Sequence, residues 1–481
     1  MATPYITIGC PTSGGGKVIS GNSKFLIDGI PVACVGDKAT CPTHKVLATI
    51  MSGDPYMQIF GKSAARVNDS LSCGCKLLPQ QNLVVQDNGG STGSTGSNSN
   101  YKNTQQSTQE NFVENKDFEI ELVDLKVTPF IPLGVPTSEG KPSNKEHSFF
   151  IKIKKGICDA ISLEVEQDGT FVEVKKIQKA FSSGQQISLN WDGFIKDFYN
   201  SKFMTKPSGV KFKVKGYSSG SVQCSDEKIF KFKYFNKDWM DVVINRKTKH
   251  VLIDLRVNFV DGGAAGLFNS QSVPPTQISL YKTTPYTTQT KSFDQLVQLA
   301  FNGINYYWSR NHSHPTGKNI NINGDKYEVF VKAKLSKTQA MPEMKLIFIT
   351  NVNPNDPMFR SSNWALSRKT AYITGYLKFD HGWGFFSYAY SDKKFKETIA
   401  HETGHAIVET YAGFNESVTH HGSSRYDQNP KSGTTYPRSG EIDLMKYAEE
   451  ELSSIPTWDI RMVANEKDTM GLLFISGISK Q

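Results

Sequence analysis

Between Asp87 and Asn111, 21 of 25 residues are Gly, Ser, Thr, Asn or Gln. A stretch so poor in apolar side chains cannot bury enough surface to offset the entropy of ordering it. It predicts a flexible linker over 87–112, which as a coil spans roughly 25–30 Å. The chain, 481 residues long, is thereby divided into a small N-terminal part, 1–86, and a remainder large enough for two more domains.

Composition narrows the classes. At 38% hydrophobic and 21% charged, the chain is neither disordered as a whole nor a membrane protein, and no apolar run is long enough to span a bilayer. The first ten residues lack the basic and apolar regions of a signal peptide. The expectation is a protein that stays in the cytosol or leaves by a route that reads the folded chain. The net charge is +9, and Lys145–Lys249 carries nearly all of it, with 20 basic and 12 acidic side chains. Its lysines alternate with apolar residues, as in Lys211-Phe212-Lys213-Val214-Lys215. That pattern places lysine on the solvent face of half-buried strands, with no nucleic-acid partner expected.

The N-terminal part is repetitive. Val18-Ile19-Ser20-Gly21 recurs as Ile50-Met51-Ser52-Gly53 at an offset of 32, and Asp37 and Cys41 match Asp69 and Cys73 at the same offset. Cys10-Pro11 precedes Cys41-Pro42 by 31 residues. Units this small cannot bury a core alone and must stack. Stacking predicts that Cys10, Cys41 and Cys73 meet at one end, with His44 as fourth ligand of a structural Zn²⁺ and Cys75 as its alternative. Ile30-Pro-Val-Ala-Cys-Val-Gly-Asp37, Cys41-Pro-Thr-His44 and Ser63-Ala-Ala-Arg-Val67 resemble the PAAR-repeat proteins that tip the spike of the bacterial type VI secretion machine. The resemblance implies a metal-tipped β-cone over 1–86, docking on a trimeric spike protein and carrying C-terminal effector domains. Thr12-Ser13-Gly14-Gly15 stands where that family often has a ligand histidine.

About seven short alternating segments between Phe118 and Phe259, separated by turns such as Gln167-Asp168-Gly169, predict an immunoglobulin-like β-sandwich over 113–261. Cys158 and Cys224 are expected there as buried thiols, with an inter-sheet disulfide as the alternative.

Residues 262–481 carry the chemistry. Phe395–Gly413 reads as a helix with a glycine stop, containing His401-Glu402-Thr-Gly-His405. Two histidines four apart project from one helix face and reach one Zn²⁺, while Glu402 is left free as general base. Gly404 weakens the helix and suits a close neighbour. A catalytic zinc needs a third protein ligand and an open position. His420 is the first choice, followed by His421, then Glu441 or Asp443. Ser439–Tyr447 looks similar to the methionine-containing turn beneath the metal in metzincin proteases, which implies Met445 below the metal and Tyr447 as oxyanion donor. The third ligand would lie farther from the helix than in metzincins, so the resemblance is to zincins with a longer insertion. Tyr426 and Tyr436 are weaker oxyanion candidates. His312, His314 and His381 read as surface or packing residues.

The expected fold is multidomain: a small β-cone of PAAR-like repeats, an immunoglobulin-like sandwich and an α+β zincin-like metallopeptidase. The expected function is a type VI secretion effector whose zinc peptidase cleaves peptidoglycan peptide or protein in the periplasm of a target cell, restrained by a cognate immunity protein. The rivals are a structural spike tip with a cargo-binding C-terminal domain and another zinc hydrolase, such as a deacetylase.

Overall fold

The computed structural model describes residues 2–27, 30–59, 62–79, 85–87, 118–364, 367–424 and 429–481, in two compact units, Met1–Ser107 and Thr108–Gln481. The chain is multidomain and rich in strands, with few helices among the described residues. The linker expected over 87–112 lies, after Asp87, outside them.

The first unit is built on an approximate threefold. The Ile6 N–H donates to the Ala65 carbonyl, Ala65 to Ala33, and Ala33 back to Ile6, each at 2.8 Å, so three segments close into a ring. Around it, the N–H groups of Gly9, Gly36 and Asn68 donate to the carbonyls of Val18, Ile50 and Leu77, each at 2.9 Å. All three turn residues have positive φ (93°, 94° and 70°), a conformation that glycine adopts freely and asparagine tolerates. Small side chains, Ala33, Ala39, Ala48 and Ala65, fill the narrow core together with Ile6 and Ile50.

This ring corrects the repeat register. Eight residues separate Cys10 from Val18 and Asp69 from Leu77, whereas thirteen separate Asp37 from Ile50. The longer middle loop carries the hairpin of Lys38–Cys41 and Val46–Thr49. The counterparts of Cys10 are therefore Asp37 and Asp69, and Gly14 is the counterpart of Cys41 and Cys73. The Cys10 thiol accepts from the Thr7 N–H at 3.3 Å, as Asp37 accepts from Cys34 at 2.8 Å and Asp69 from Arg66 at 2.7 Å. Matching the two Cys-Pro dipeptides hid that shift.

The second unit opens with two antiparallel sheets. One orders Gln186–Trp191, His147–Lys155 and Glu119–Leu125; the other orders Thr170–Ser182, Ile157–Gln167, Val210–Ser218 and Ser221–Phe230. They face each other through Phe149 and Phe212, with ring centroids 4.8 Å apart, and Trp191 packs on Phe212 at 5.5 Å. The alternating lysines line the outer side and are paired across strands, Lys213 to Glu227 at 2.7 Å and Lys215 to Glu164 at 2.8 Å. Cys158 and Cys224 are free thiols, pushed up to about 11 and about 12 by burial.

The boundary expected at 261/262 falls inside a strand, Phe259–Ala265. His250–Val257, expected in the sandwich, instead pairs in parallel with Asp325–Leu335, in a five-stranded sheet that also holds Met240–Asn245. Phe259–Ala265, Met344–Ile349 and Ser367–Ile373 run parallel in a second sheet, whose edge strand, Ser362–Trp364, is antiparallel. The last strand, Ile478–Lys480, returns to pair with Phe232–Tyr234. Alternation marks a strand but does not name its partner, and parallel partners are necessarily distant in sequence. One hydrophobic core consequently runs from Phe118 to Ile478.

Two helices cover the mixed sheets. Phe293–Tyr307 starts with a Ser292–Gln295 capping box. Tyr388–Ala412 starts at the Ser387 N-cap and stops at Gly413. They touch closely at Gly303, where an added Cβ would lie 2.3 Å from the Lys396 carbonyl oxygen.

Candidate functional site

In the first unit, Cys41, His44, Cys73 and Cys75 bring one ligand atom each within 4.8 Å of one another. The Cys41 thiol lies 3.2 Å from His44 Nδ1 and 3.6 Å from the Cys75 sulfur. Three sulfurs and one imidazole are the donor set of a closed tetrahedral zinc site. Cys10 lies outside it, and Cys75 stands where the sequence reading put Cys10. A Cβ on Gly14 would come within 2.4 Å of the Cys41 sulfur, so the glycine leaves room for the four donors. The Cys75 backbone N–H lowers the Cys73 thiol, favouring a thiolate at that position.

The second cluster forms on the long helix. His401 and His405 project from one side of it, and His420 comes from the loop after the short helix Phe414–Val418. His401 Nδ1 donates to the Leu444 carbonyl at 2.9 Å, and His405 Nδ1 to the Ser417 carbonyl at 3.1 Å. Those bonds fix both tautomers and turn each Nε2 lone pair inward. His401 Nε2 is buried with no partner, and the Nε2 atoms of His405 and His420 lie 3.0 Å apart. Burial lowers all three imidazoles, His420 to about 3, so they are held neutral. Three neutral imidazoles with converging lone pairs fit a divalent zinc ion.

His420 and His421 both have positive φ, 45° and 39°. They form a tight left-handed turn rather than the extended loop in which neighbouring side chains simply alternate. Such a pair costs roughly 1–2 kcal/mol per residue and needs outside support. The Tyr447 N–H donates to the His420 carbonyl at 3.0 Å, and the Tyr447 ring stacks on the His420 ring at 4.0 Å. His421 turns away, with Nδ1 2.8 Å from Asp443 Oδ2. Burial alone would lower His421, but the Asp443 carboxylate outweighs it and raises His421 to about 9. Asp443 also accepts from the Met445 N–H at 2.9 Å, so one carboxylate ties the histidine loop to the methionine turn. Glu441 is held by Arg310 through both oxygens, at 2.7 and 2.9 Å. Neither acid joins the group of His401, His405 and His420.

Met445 lies against the helix at Gly404. A Cβ on Gly404 would sit 2.5 Å from the Met445 sulfur and 2.9 Å from the Trp308 ring. Glu402 is buried beside His401, and its carboxyl is pushed up to about 8 by burial first and the Glu397 charge second. Tyr447 lines the same cleft, its hydroxyl raised by burial and by Glu402. The cleft has a volume of about 670 Å³ and is bordered by Arg360, Asn363, Glu397 and Glu409 besides the three histidines and Glu402. Asn363, on the edge strand, donates to the Glu402 carbonyl and accepts from Arg368 at 3.1 Å, tying strand to helix. Arg360, Asn363 and Ser417 carried no sequence signal, because isolated polar residues outside any motif look alike.

The remaining candidates lie elsewhere. Tyr436 spends its hydroxyl on the Lys446 carbonyl at 3.3 Å, and Tyr426 is outside the described residues. His314 is buried and shapes a turn by accepting from Gly317 at 2.9 Å; His312 pairs with Glu328, and His381 stacks on Phe379. Among the described residues, no helix is long and apolar enough to cross a membrane.

No curated protein matches the chain. The family model of the PAAR motif matches residues 8–79. That match covers the Cys-His-Cys-Cys group and the Ala33 and Ala65 segments of the threefold ring, and it supports a type VI spike-tip role for the N-terminal unit.

Proposed function

We propose that the chain is a type VI effector in which the spike tip carries a zinc metallopeptidase. The PAAR match and the threefold ring suit the first unit to a trimeric spike protein, with the Cys41–His44–Cys73–Cys75 zinc as its structural staple. Delivery by the secretion machine takes the second unit into a target cell, where the periplasm and its peptides are the site of action and an immunity protein protects the producer.

The observation that carries the enzymatic reading is the converging of three neutral imidazole lone pairs beside a buried Glu402 that bonds none of them. Zinc bound there supplies a Lewis acid for the scissile carbonyl and for a water. Glu402 takes the proton of the attacking water and hands it to the leaving amine. Tyr447, stacked on His420, donates its hydroxyl to the oxygen that gains charge as the carbonyl carbon becomes tetrahedral. An extended peptide has a partner in the edge strand Ser362–Trp364, whose Ser362 and Asn363 line the cleft.

The test is Glu402→Ala in the full chain. Zinc content should stay at the wild-type level while peptide hydrolysis and periplasmic toxicity drop by at least about a hundredfold. Unchanged hydrolysis in that variant sinks the peptidase reading.

A further inference from the structure

The cleft holds two cations near the histidines, Arg360 and Lys394. Lys394 is spent on Glu397 at 2.7 Å. Arg360 has no hydrogen-bond or ion-pair partner for its guanidinium among the described residues. It lies two residues before the edge strand, and its backbone is tied into a turn by a 3.0 Å bond to the Asp356 carbonyl. Its exposed side chain lines the same cleft as Glu402, His420 and Tyr447. Glu409, one helical turn beyond His405, lines the cleft as well.

We propose that Arg360 is a specificity-determining residue that binds a carboxylate of the substrate, so that the preferred substrate is a peptide with a free carboxylate beside the scissile bond. This deepens the peptidase reading and rests on it. A guanidinium presents a planar fork of N–H donors that matches a carboxylate with two parallel bonds, a geometry that lysine lacks. Placed before the edge strand, the fork meets a side-chain or terminal carboxylate of a peptide laid along that strand. Two sources share this chemistry: the stem peptide of peptidoglycan, which carries free carboxylates, and acidic segments of polypeptides.

Binding separates the inference from the activity. The probes are a peptidoglycan stem tetrapeptide and an aspartate-containing L-hexapeptide, each as the free acid and as the carboxamide. They are titrated calorimetrically onto zinc-loaded full-length protein carrying Glu402→Gln, with and without Arg360→Gln. In at least one series the acid should bind about tenfold tighter than the amide, and Arg360→Gln should erase that ratio while leaving amide affinity within about twofold. The series with the larger ratio identifies the source. Equal affinity for acid and amide in both series, or a ratio that survives Arg360→Gln, overturns the proposal. If wild-type protein cleaves neither peptide yet the acid preference depends on Arg360, the peptidase reading fails and the carboxylate site stands.

Discussion

Burial drives His420 down to about 3 and leaves it neutral, whereas the next residue, His421, is raised to about 9 by Asp443. One of the pair can donate a lone pair to a metal; the other is an anchor. His420→Ala should therefore abolish zinc binding at this centre in a metal titration. His421→Ala should keep the stoichiometry and weaken affinity about tenfold, the usual effect of losing a group that orients a ligand. Equal losses in both variants would mean that the loop has no distinct anchor. Gly404 offers a second test at this scale. Replacing it with Ala gains about 1 kcal/mol of helix propensity, but the new methyl would lie 2.5 Å from the Met445 sulfur and 2.9 Å from Trp308. Methionine can yield, but the fully buried indole, bonded to the Ala400 carbonyl at 3.0 Å, cannot. Overpacking of about 1–3 kcal/mol wins, so Gly404→Ala should lower the unfolding midpoint and weaken zinc affinity together.

Strands are held in register by a few buried polar groups as well as by apolar faces. Arg256, on His250–Val257, bonds Asp241 on the neighbouring strand and the carbonyls of Asp238 and Gln339. Both charged side chains are largely buried, at 11% and 15% exposure. Burial by itself would raise the Asp241 carboxyl, but the Arg256 guanidinium and the Tyr234 hydroxyl outweigh it and hold it low. A carboxyl lower in the folded than in the unfolded chain stabilises the fold above its unfolded value, near 3.9. That contribution fades as pH falls through the lower folded value. Urea unfolding of the second unit should accordingly lose stability in acid below about pH 4. Arg256→Met, which strands the buried carboxylate, should cost about 3 kcal/mol at pH 7, and Asp241→Asn should remove this part of the acid sensitivity.

At the scale of the whole chain, the two proposed zinc centres fall in separately compact units. Metal analysis should find about two zinc ions per full-length chain. Cys75→Ala or His44→Ala should reduce that to about one, as should His401→Ala, and each loss should leave the other unit's unfolding transition in place. Cys10→Ala should keep both ions, since its thiol is bonded to Thr7 and not to the cluster. A Cys10 variant that loses one ion would restore the register that the threefold ring overturned. Chelation should lower the midpoint of the N-terminal transition, because a structural zinc contributes its binding free energy to folding.

Local chemistry was readable in the chain itself. Histidines four apart, the glycine between them, the methionine turn and the repeat of Ser-Gly turns are short-range patterns, and helix or turn geometry translates such spacing directly into position. Cys41, His44 and Cys73 were legible for the same reason. The third imidazole was only one of four options in the sequence, because a side chain from another element is placed by the left-handed turn at His420 and by Asp443 and Tyr447, which support it. The exchange of Cys10 for Cys75 depended on one longer loop among three repeats, visible only once the ring of hydrogen bonds set the equivalences. Parallel pairing of His250–Val257 with Asp325–Leu335 was beyond periodicity, since alternation says which face of a strand is buried and nothing about its neighbour. Arg360 and Asn363 became visible only where the edge strand meets the helix, because their significance lies in what stands opposite them.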